Sequence, residues 1–239
     1  MLDGRKKLFD EYVSAGYNLK STYLQKFINS QHIAFYQKNF GKYLPADKNA
    51  HILEIGFGRG DFLRYLIKNN YTNFLGLEIG PEQYKIVKEN ISDRVILVED
   101  TFVFLANNRD KFDAIVFVDV LEHIEKDRII EFLHLVFEAL KKGGFAFCRV
   151  PNFGNPFAAM ARYKDFTHTI SFVPKSLRAI FLVNDFQIIK VKGESFNFSL
   201  VGAIIQFFRS FIGLFIQLIS LIYGGKIDPA KNLIAIVKK

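Results

Sequence analysis

An α/β fold built on a doubly wound, mostly parallel sheet is predicted by three observations on this 239-residue chain. Short apolar runs alternate with amphipathic stretches from Ile52 to Val150, the order that places helices between parallel strands. The first run, Ile52 to Ile55, turns on Gly56, Gly58 and Gly60 and passes straight into a helical pattern. Glu78 then stands twenty residues beyond Gly58, at the end of the second apolar run. A glycine turn between strand and helix leaves free N–H groups aimed at a ligand, and a carboxylate at that distance is placed to grip a ribose diol.

Composition allows one such domain with extensions. Half of the residues are hydrophobic, so a sizeable core is available. The net charge of +8 points to an acidic partner. Basic residues are scattered, with no long run and no nucleic-acid motif, so nucleic acid ranks below an anionic membrane surface or a phosphate-bearing substrate. The single cysteine, Cys148, cannot form an internal disulfide and lies in an apolar strand pattern. Met1 to Asp10 is charged and lacks an apolar signal core. A reducing, cytoplasmic location is expected, with peripheral placement on an inner membrane left open.

Three units are expected: a helical cap over residues 1–50, a core over 51–194 and 226–239, and an apolar helical insertion over 195–225. In the cap, Leu24, Phe27, Ile28, His32, Phe35 and Tyr36 fall at steps of three and four, one face of a helix. Tyr12, Tyr17 and Tyr23 are open candidates for ligand contact. After the glycine turn a helix runs from about Asp61 to Asn69. The second strand, Phe74 to Leu77, ends on Glu78, and Pro81 starts a helix to about Asn90, where its missing N–H costs nothing. A third strand, Arg94 to Val98, ends on Glu99-Asp100-Thr101, where Asp100 suits a helix N-cap. The fourth strand, Phe112 to Val118, runs into Asp119-Val120-Leu121-Glu122-His123. Asp127 to Leu140 is an amphipathic helix with Ile130, Leu133, Val136, Phe137 and Leu140 on its core face. Lys141-Lys142-Gly143-Gly144 reads as its C-cap. Phe145 to Val150 is strand five, Asp185 to Val191 strand six and Asn232 to Lys238 strand seven.

Between strands six and seven, Phe196 to Tyr223 is apolar with a narrow polar stripe at Gln206, Arg209, Gly213, Gln217, Ser220 and Gly224. It is long enough to span a bilayer. A single span would put two strands of one sheet on opposite sides of the membrane, so a helix or hairpin on a membrane surface, or in a homodimer interface through 196–223, is expected instead.

Two nucleotide motifs fail on the glycine turn. A dinucleotide loop needs a third glycine where Asp61 stands, and a P-loop needs a Gly-Lys-Ser/Thr that is absent. The pattern Glu-x-Gly-x-Gly-x-Gly, starting at Glu54, resembles motif I of the class I S-adenosylmethionine-dependent methyltransferases. Asp119-x-Leu121-Glu122-His123 resembles one large branch of them. Their Leu-Lys-Pro-Gly-Gly differs here only by Lys142 in place of the proline. The resemblance implies a seven-stranded Rossmann-like methyltransferase sheet with strand seven antiparallel at the edge. It implies S-adenosyl-L-methionine held by Glu54, Gly56, Phe57, Gly58 and Gly60. Glu78 with Ile79 would take the ribose, Asp100 with Thr101 and Phe102 the adenine, and Asp119 would stand beside the methyl-donor end.

Beyond strand five, Pro151-Asn152, Asp165-Phe166-Thr167-His168 and Pro174-x-Ser176-Leu177 resemble methyltransferases of bacterial surface-polysaccharide gene clusters. This implies a sugar, nucleotide-sugar or glycan acceptor and O-methylation. Transfer to a hydroxyl requires removal of its proton, and an imidazole suits that near neutral pH. The candidates are His168, oriented by Asp165, and His123. No metal ligands are assigned; Asp119, Glu122 and His123 form the alternative, since some quinone-biosynthesis O-methyltransferases place a divalent ion at a comparable cluster. A quinone or lipid O-methyltransferase at the membrane surface, and a non-catalytic cofactor-binding assembly module, are the competing functions.

Overall fold

The computed structural model describes residues 3–12, 14, 30–155, 158–195, 214, 215, 218, 222 and 228–239. Seven strands form one sheet. They are β1 (Ile52–Ile55), β2 (Phe74–Glu78), β3 (Val95–Leu97), β4 (Phe112–Val118), β5 (Leu140–Pro151), β6 (Gln187–Gly193) and β7 (Asn232–Lys238). Their order is β3-β2-β1-β4-β5-β7-β6. β1 to β5 pair in parallel, and β7 runs antiparallel to both β5 and β6.

Side-chain alternation explains why both faces are dry. Ile115 and Phe117 of β4 and Leu233, Ala235 and Val237 of β7 point into one core. Ala114, Val116, Ile234 and Ile236 point into the other. A sheet covered on both sides needs apolar residues at every position, which is why its central strands read as unbroken hydrophobic runs. Helices α5 (Thr101–Ala106), α6 (Ile129–Ala139) and α8 (Pro174–Leu182) contribute Leu105, Phe132, Leu133, Val136, Leu177 and Phe181 to the first face. Helices α2 (Ser30–Asn39), α3 (Asp61–Lys68) and α4 (Pro81–Asn90) cover the second, with Tyr36, Phe62, Leu63, Leu66 and Val87. Two further helices among the described residues are α1 (Asp3–Asp10) and α7 (Ala159–Lys164). Cys148 is free and fully buried in the first core.

Several expectations are corrected. Strand seven is not at the edge: it lies between β5 and β6, and β6 is the edge strand. Lys141 to Gly144 does not cap a helix. It lies inside β5, because Leu140 pairs with Phe112 and is drawn out of the helix into the sheet, with a register irregularity between Phe112 and Ala114. Ile130 is 44% exposed; Ile129, Phe132 and Ala139 occupy the core face with Leu133 and Val136. Strand six starts at Gln187, since Asp185 takes a positive φ of 62° in the turn before it. Leu24, Phe27 and Ile28 of the cap lie outside the described residues, as does nearly all of 196–223. Within that insertion, Leu214, Phe215, Leu218 and Ile222 are helical and exposed. Among the described residues no helix is long and apolar enough to cross a membrane.

Strand order reverses where β1 sits between β2 and β4. In such sheets ligands bind beyond the carboxyl ends of the strands at this switch point. The carboxyl ends of β1, β2, β4 and β5 carry Gly56, Glu78, Asp119 and Asn152 or their neighbours.

Candidate active site

A cavity of about 1000 Å³ opens at this switch point, lined by the glycine loop, Glu78, Asp100 and Asp119, and farther on by His123, Asp165 and His168. The loop is built by its backbone. Gly56 N–H bonds Leu77 O at 2.8 Å and Gly60 N–H bonds Phe57 O at 2.7 Å. Gly58 and Gly60 both take positive φ, but for different ends. A Cβ on Gly60 would lie 2.7 Å from Ile91 Cδ1, so the helix packs against it. A Cβ on Gly58 would meet nothing within 4 Å, so it would project into open cavity, where a ligand approaches the main chain.

Glu78 is buried and ties β2 to this loop. One oxygen accepts from Gly58 N–H at 2.9 Å, the other from Ile79 N–H at 2.9 Å and Gly80 N–H at 3.1 Å. Burial raises its pKa above the ordinary value, and those three N–H groups oppose the rise. The oxygen bonded to Gly58 N–H, Oε2, has a second lone-pair direction left for a ligand hydroxyl. Glu54, 3% exposed, is held well above the ordinary carboxylate range by burial and by the nearby Asp61 and Glu78; its Oε2 has no hydrogen-bond partner. Asp100 caps α5, accepting from Phe102 N–H at 2.7 Å, and faces the cavity beside Thr101 and Phe102.

At the end of β4, Asp119 adopts a left-handed φ of 55°. Both of its oxygens bond Arg149 of β5, through Nε at 3.0 Å and through Nη2. Burial works against the Arg149 charge, but Asp119 outweighs it and holds the guanidinium ionised. The arginine also lies 5.0 Å from the Phe35 ring centroid. Arg149 was not a candidate from sequence, because nothing in a strand pattern says which neighbour strand faces a given residue. The sequence set Asp119-Glu122-His123 is accordingly not what the fold assembles. Glu122, His123 and His168 bring ligand-type atoms within 4.8 Å of one another, while Asp119 is engaged by Arg149. Glu122 is 1% exposed, and neither carboxyl oxygen has a hydrogen-bond partner. Burial, then Asp119, push its pKa well up.

Asp165 and Thr167 follow α7 and are buried. Thr169 N–H bonds Glu122 O at 2.8 Å, pinning this loop to the 3-10 turn Leu121–His123. The Asp165 carboxylate accepts from Thr167 Oγ1 at 2.6 Å, Thr167 N–H at 2.9 Å and Tyr12 OH at 2.5 Å. Thr167 Oγ1 lies 2.7 Å from His123 Nδ1. The structure thus joins Asp165 to His123 through Thr167. The His123 and His168 rings are 4.7 Å apart, edge to face, and Phe9 stands 5.9 Å from His123 on another side. Tyr12 and Phe9 come from the N-terminal segment. Of the three tyrosines left open by sequence, Tyr12 reaches the cavity; Tyr17 and Tyr23 lie outside the described residues.

A glycine-loop cradle, an acidic residue on each of two following strand ends and a pair of histidines beyond them line one cavity on a doubly wound sheet, a donor set suited to a nucleoside ligand. The chain matches the family model described as a methyltransferase domain over residues 24–191, and it belongs to that family. A search of curated proteins returned no match. Among solved structures it is similar to an S-adenosylmethionine-dependent methyltransferase from Archaeoglobus fulgidus, at 21% identity and a TM-score of 0.64, over 87% of this chain and 94% of that one. It is also similar to phosphoethanolamine N-methyltransferase 2 of Haemonchus contortus in complex with S-adenosyl-L-methionine. That likeness is 14% identity and a TM-score of 0.63, over 97% of this chain and 60% of that one. A third is the 1,6-didemethyltoxoflavin-N1-methyltransferase of Burkholderia thailandensis with S-adenosylhomocysteine, at 14% identity and a TM-score of 0.60, over 97% and 87%. At these identities the likeness concerns the fold.

The site's chemistry fits S-adenosylmethionine. The space a Cβ on Gly58 would fill admits the ligand to the loop backbone. Glu54 Oε2, buried and without a partner, suits an ammonium group, and Glu78 suits a diol. The cradle needs no lysine, since this molecule carries no phosphate.

Proposed function

We propose that the protein transfers a methyl group from S-adenosylmethionine to a hydroxyl of a sugar or phosphate-bearing glycan precursor. The observation that carries this reading is the pair His123 and His168, set with Asp165 on the same cavity wall system as the glycine loop and Glu78. The donor, when bound, supplies an activated methyl carbon. Everything else falls to the chain. Glu54, Glu78 and Asp100, with the loop backbone, hold the donor. An imidazole takes the proton of the attacking hydroxyl as the oxygen–carbon bond forms, and holding donor and acceptor in line removes most of the entropic barrier. Arg128, Lys164 and Lys231 line the same cavity and give a phosphate-bearing acceptor its counter-charge.

A second reading has its own support. Glu122, buried with both oxygens unpartnered, would suit an amine acceptor, and two of the similar structures are N-methyltransferases. The deciding experiment incubates pure protein with methyl-labelled S-adenosylmethionine and a panel of nucleotide sugars, glycolipids, quinone precursors and phosphorylated amines. Label in a sugar hydroxyl supports the first reading; label on nitrogen replaces it with the second. Label in a quinone precursor replaces the glycan acceptor with a membrane one.

A further inference from the structure

We infer that Thr167 is a positioning residue that fixes the His123 ring with its proton on Nδ1 and its lone pair on Nε2, and that Tyr12 holds the Asp165 carboxylate on which Thr167 rests. The inference deepens the proposed function and rests on its reading of His123 as the base.

The argument is a count of protons. Thr167 Oγ1 carries one proton and has two close polar neighbours, Asp165 Oδ1 at 2.6 Å and His123 Nδ1 at 2.7 Å. Two oxygens at 2.6 Å need a proton between them. Asp165 does not supply it. Burial pulls its pKa up, but hydrogen bonds from Thr167 and Tyr12, with His123 nearby, hold it below the ordinary value, so it is an acceptor only. The threonine proton therefore lies on the Asp165 side. The same hydroxyl then has only a lone pair to offer His123, and Nδ1 must be the donor. A neutral imidazole protonated at Nδ1 keeps its lone pair on Nε2.

Packing holds the ring in this pose, with His168 at 4.7 Å and Phe9 at 5.9 Å. Tyr12 completes the set from 153 residues away by donating to Asp165 Oδ2. Ser14, two residues on, bonds Glu82 of α4 through its N–H at 3.0 Å. The N-terminal segment thus fastens to the donor side of the cavity and to the acid behind the base. When the acceptor hydroxyl loses its proton, the O–H bond breaks and an N–H bond forms at Nε2. The resulting imidazolium keeps its Nδ1–H on Thr167, with the Asp165 charge behind it.

The test needs no acceptor. Long-range proton–nitrogen correlation spectra of nitrogen-15-labelled protein at pH 8, with His123→Gln to assign the signals, report which ring nitrogen is protonated. Nδ1 is expected to be protonated in the wild type. Thr167→Val should move the tautomer ratio towards Nε2–H by about tenfold, the worth of one hydrogen bond to a partly charged system, and Thr167→Ser should restore it. Tyr12→Phe should leave the tautomer and raise the pH at which the Asp165 carboxyl titrates. Affinity for S-adenosylmethionine checks that each variant is folded. A wild-type ring protonated at Nε2 overturns the inference, as does a Thr167→Val ratio equal to wild type. If the tautomer is as expected but His123→Gln still transfers methyl at the full rate, the base reading fails and the relay stands.

Discussion

At the scale of single residues, burial decides what each carboxyl can do. Glu78 clamps the glycine loop and, in the proposed function, also holds the donor, so Glu78→Ala should do more than remove an acceptor from a diol. The lost charged hydrogen bonds are worth about 1.5–3 kcal/mol, roughly a 10- to 150-fold loss of S-adenosylmethionine affinity. Calorimetry giving an unchanged Kd would remove Glu78 from the site. Glu122 yields a prediction with a sign. Burial and Asp119 raise its folded pKa, so the folded state binds the proton more tightly than the unfolded chain does. Its stabilising contribution is complete below the ordinary glutamate pKa and is lost as pH rises through the folded value. Glu122→Gln should therefore melt like the wild type near pH 4 and above it at pH 8. The gap should be about 1.4 kcal/mol for each unit of raised pKa, and thermal melts at both pH values measure it. Equal melting temperatures at pH 8 would mean that the carboxylate is solvated or paired after all. Sequence could name Glu54, Glu78, Asp100, Asp165 and both histidines as candidates, because their residue types and strand-end positions carry the chemistry. It could not name Thr167 or Arg149. A threonine two residues from an aspartate is ordinary loop composition, and the His123 and Asp119 contacts that give these two their roles are made across 44 and 30 residues.

Elements separate what a turn needs from what a ligand needs. Both Gly58 and Gly60 would be strained by a side chain, since both have positive φ, at a cost of order 1–3 kcal/mol. Only Gly60 also faces packed atoms, so Gly60→Val should add overpacking of about 1–3 kcal/mol. Gly58→Val should fold with the smaller penalty yet lose S-adenosylmethionine, because its branch enters open cavity. Denaturant melts and calorimetry on the pair would give opposite rankings, and a Gly58→Val protein that still binds would place the ligand elsewhere. The helices were readable wherever apolar residues repeat at helical spacing, and α4 begins at Pro81 as its sequence requires. The errors share one cause. Ladder pairing with Phe112 pulled Leu140 into β5 against a local signal of lysines and glycines, and tertiary contacts chose Ile129 over Ile130 for the core. Local pattern fixes that an element exists, whereas the sheet fixes where it stops.

For the whole molecule, the sheet and its ligand edge were legible because five strand–helix repeats leave few right-handed ways to assemble. The position of β7 between β5 and β6 was not, since an antiparallel partner can be added on either side of β6 without changing any local pattern. The insertion that separates these two strands poses the last question. Leu214, Phe215, Leu218 and Ile222 are 58%, 63%, 56% and 82% exposed, at spacings that put them along one side of a helix. Burying each would release roughly 1.5–3 kcal/mol, so the face should find a cover. Its two roots bear on the reaction, because Glu194 just before it and Lys231 and Asn232 just after it line the cavity. A net charge of +8 favours an anionic cover. We expect the protein to float with vesicles of anionic lipid, to bind neutral vesicles less, and to release partly at high salt as the charges are screened. Phe215→Glu with Leu218→Glu should abolish flotation while leaving S-adenosylmethionine affinity intact, because neither residue lines the cavity. Binding to the bilayer would favour an acceptor carried on a lipid. Wild-type protein that stays unbound, and sediments as a dimer that the double variant splits, would assign the face to a second copy of the chain instead.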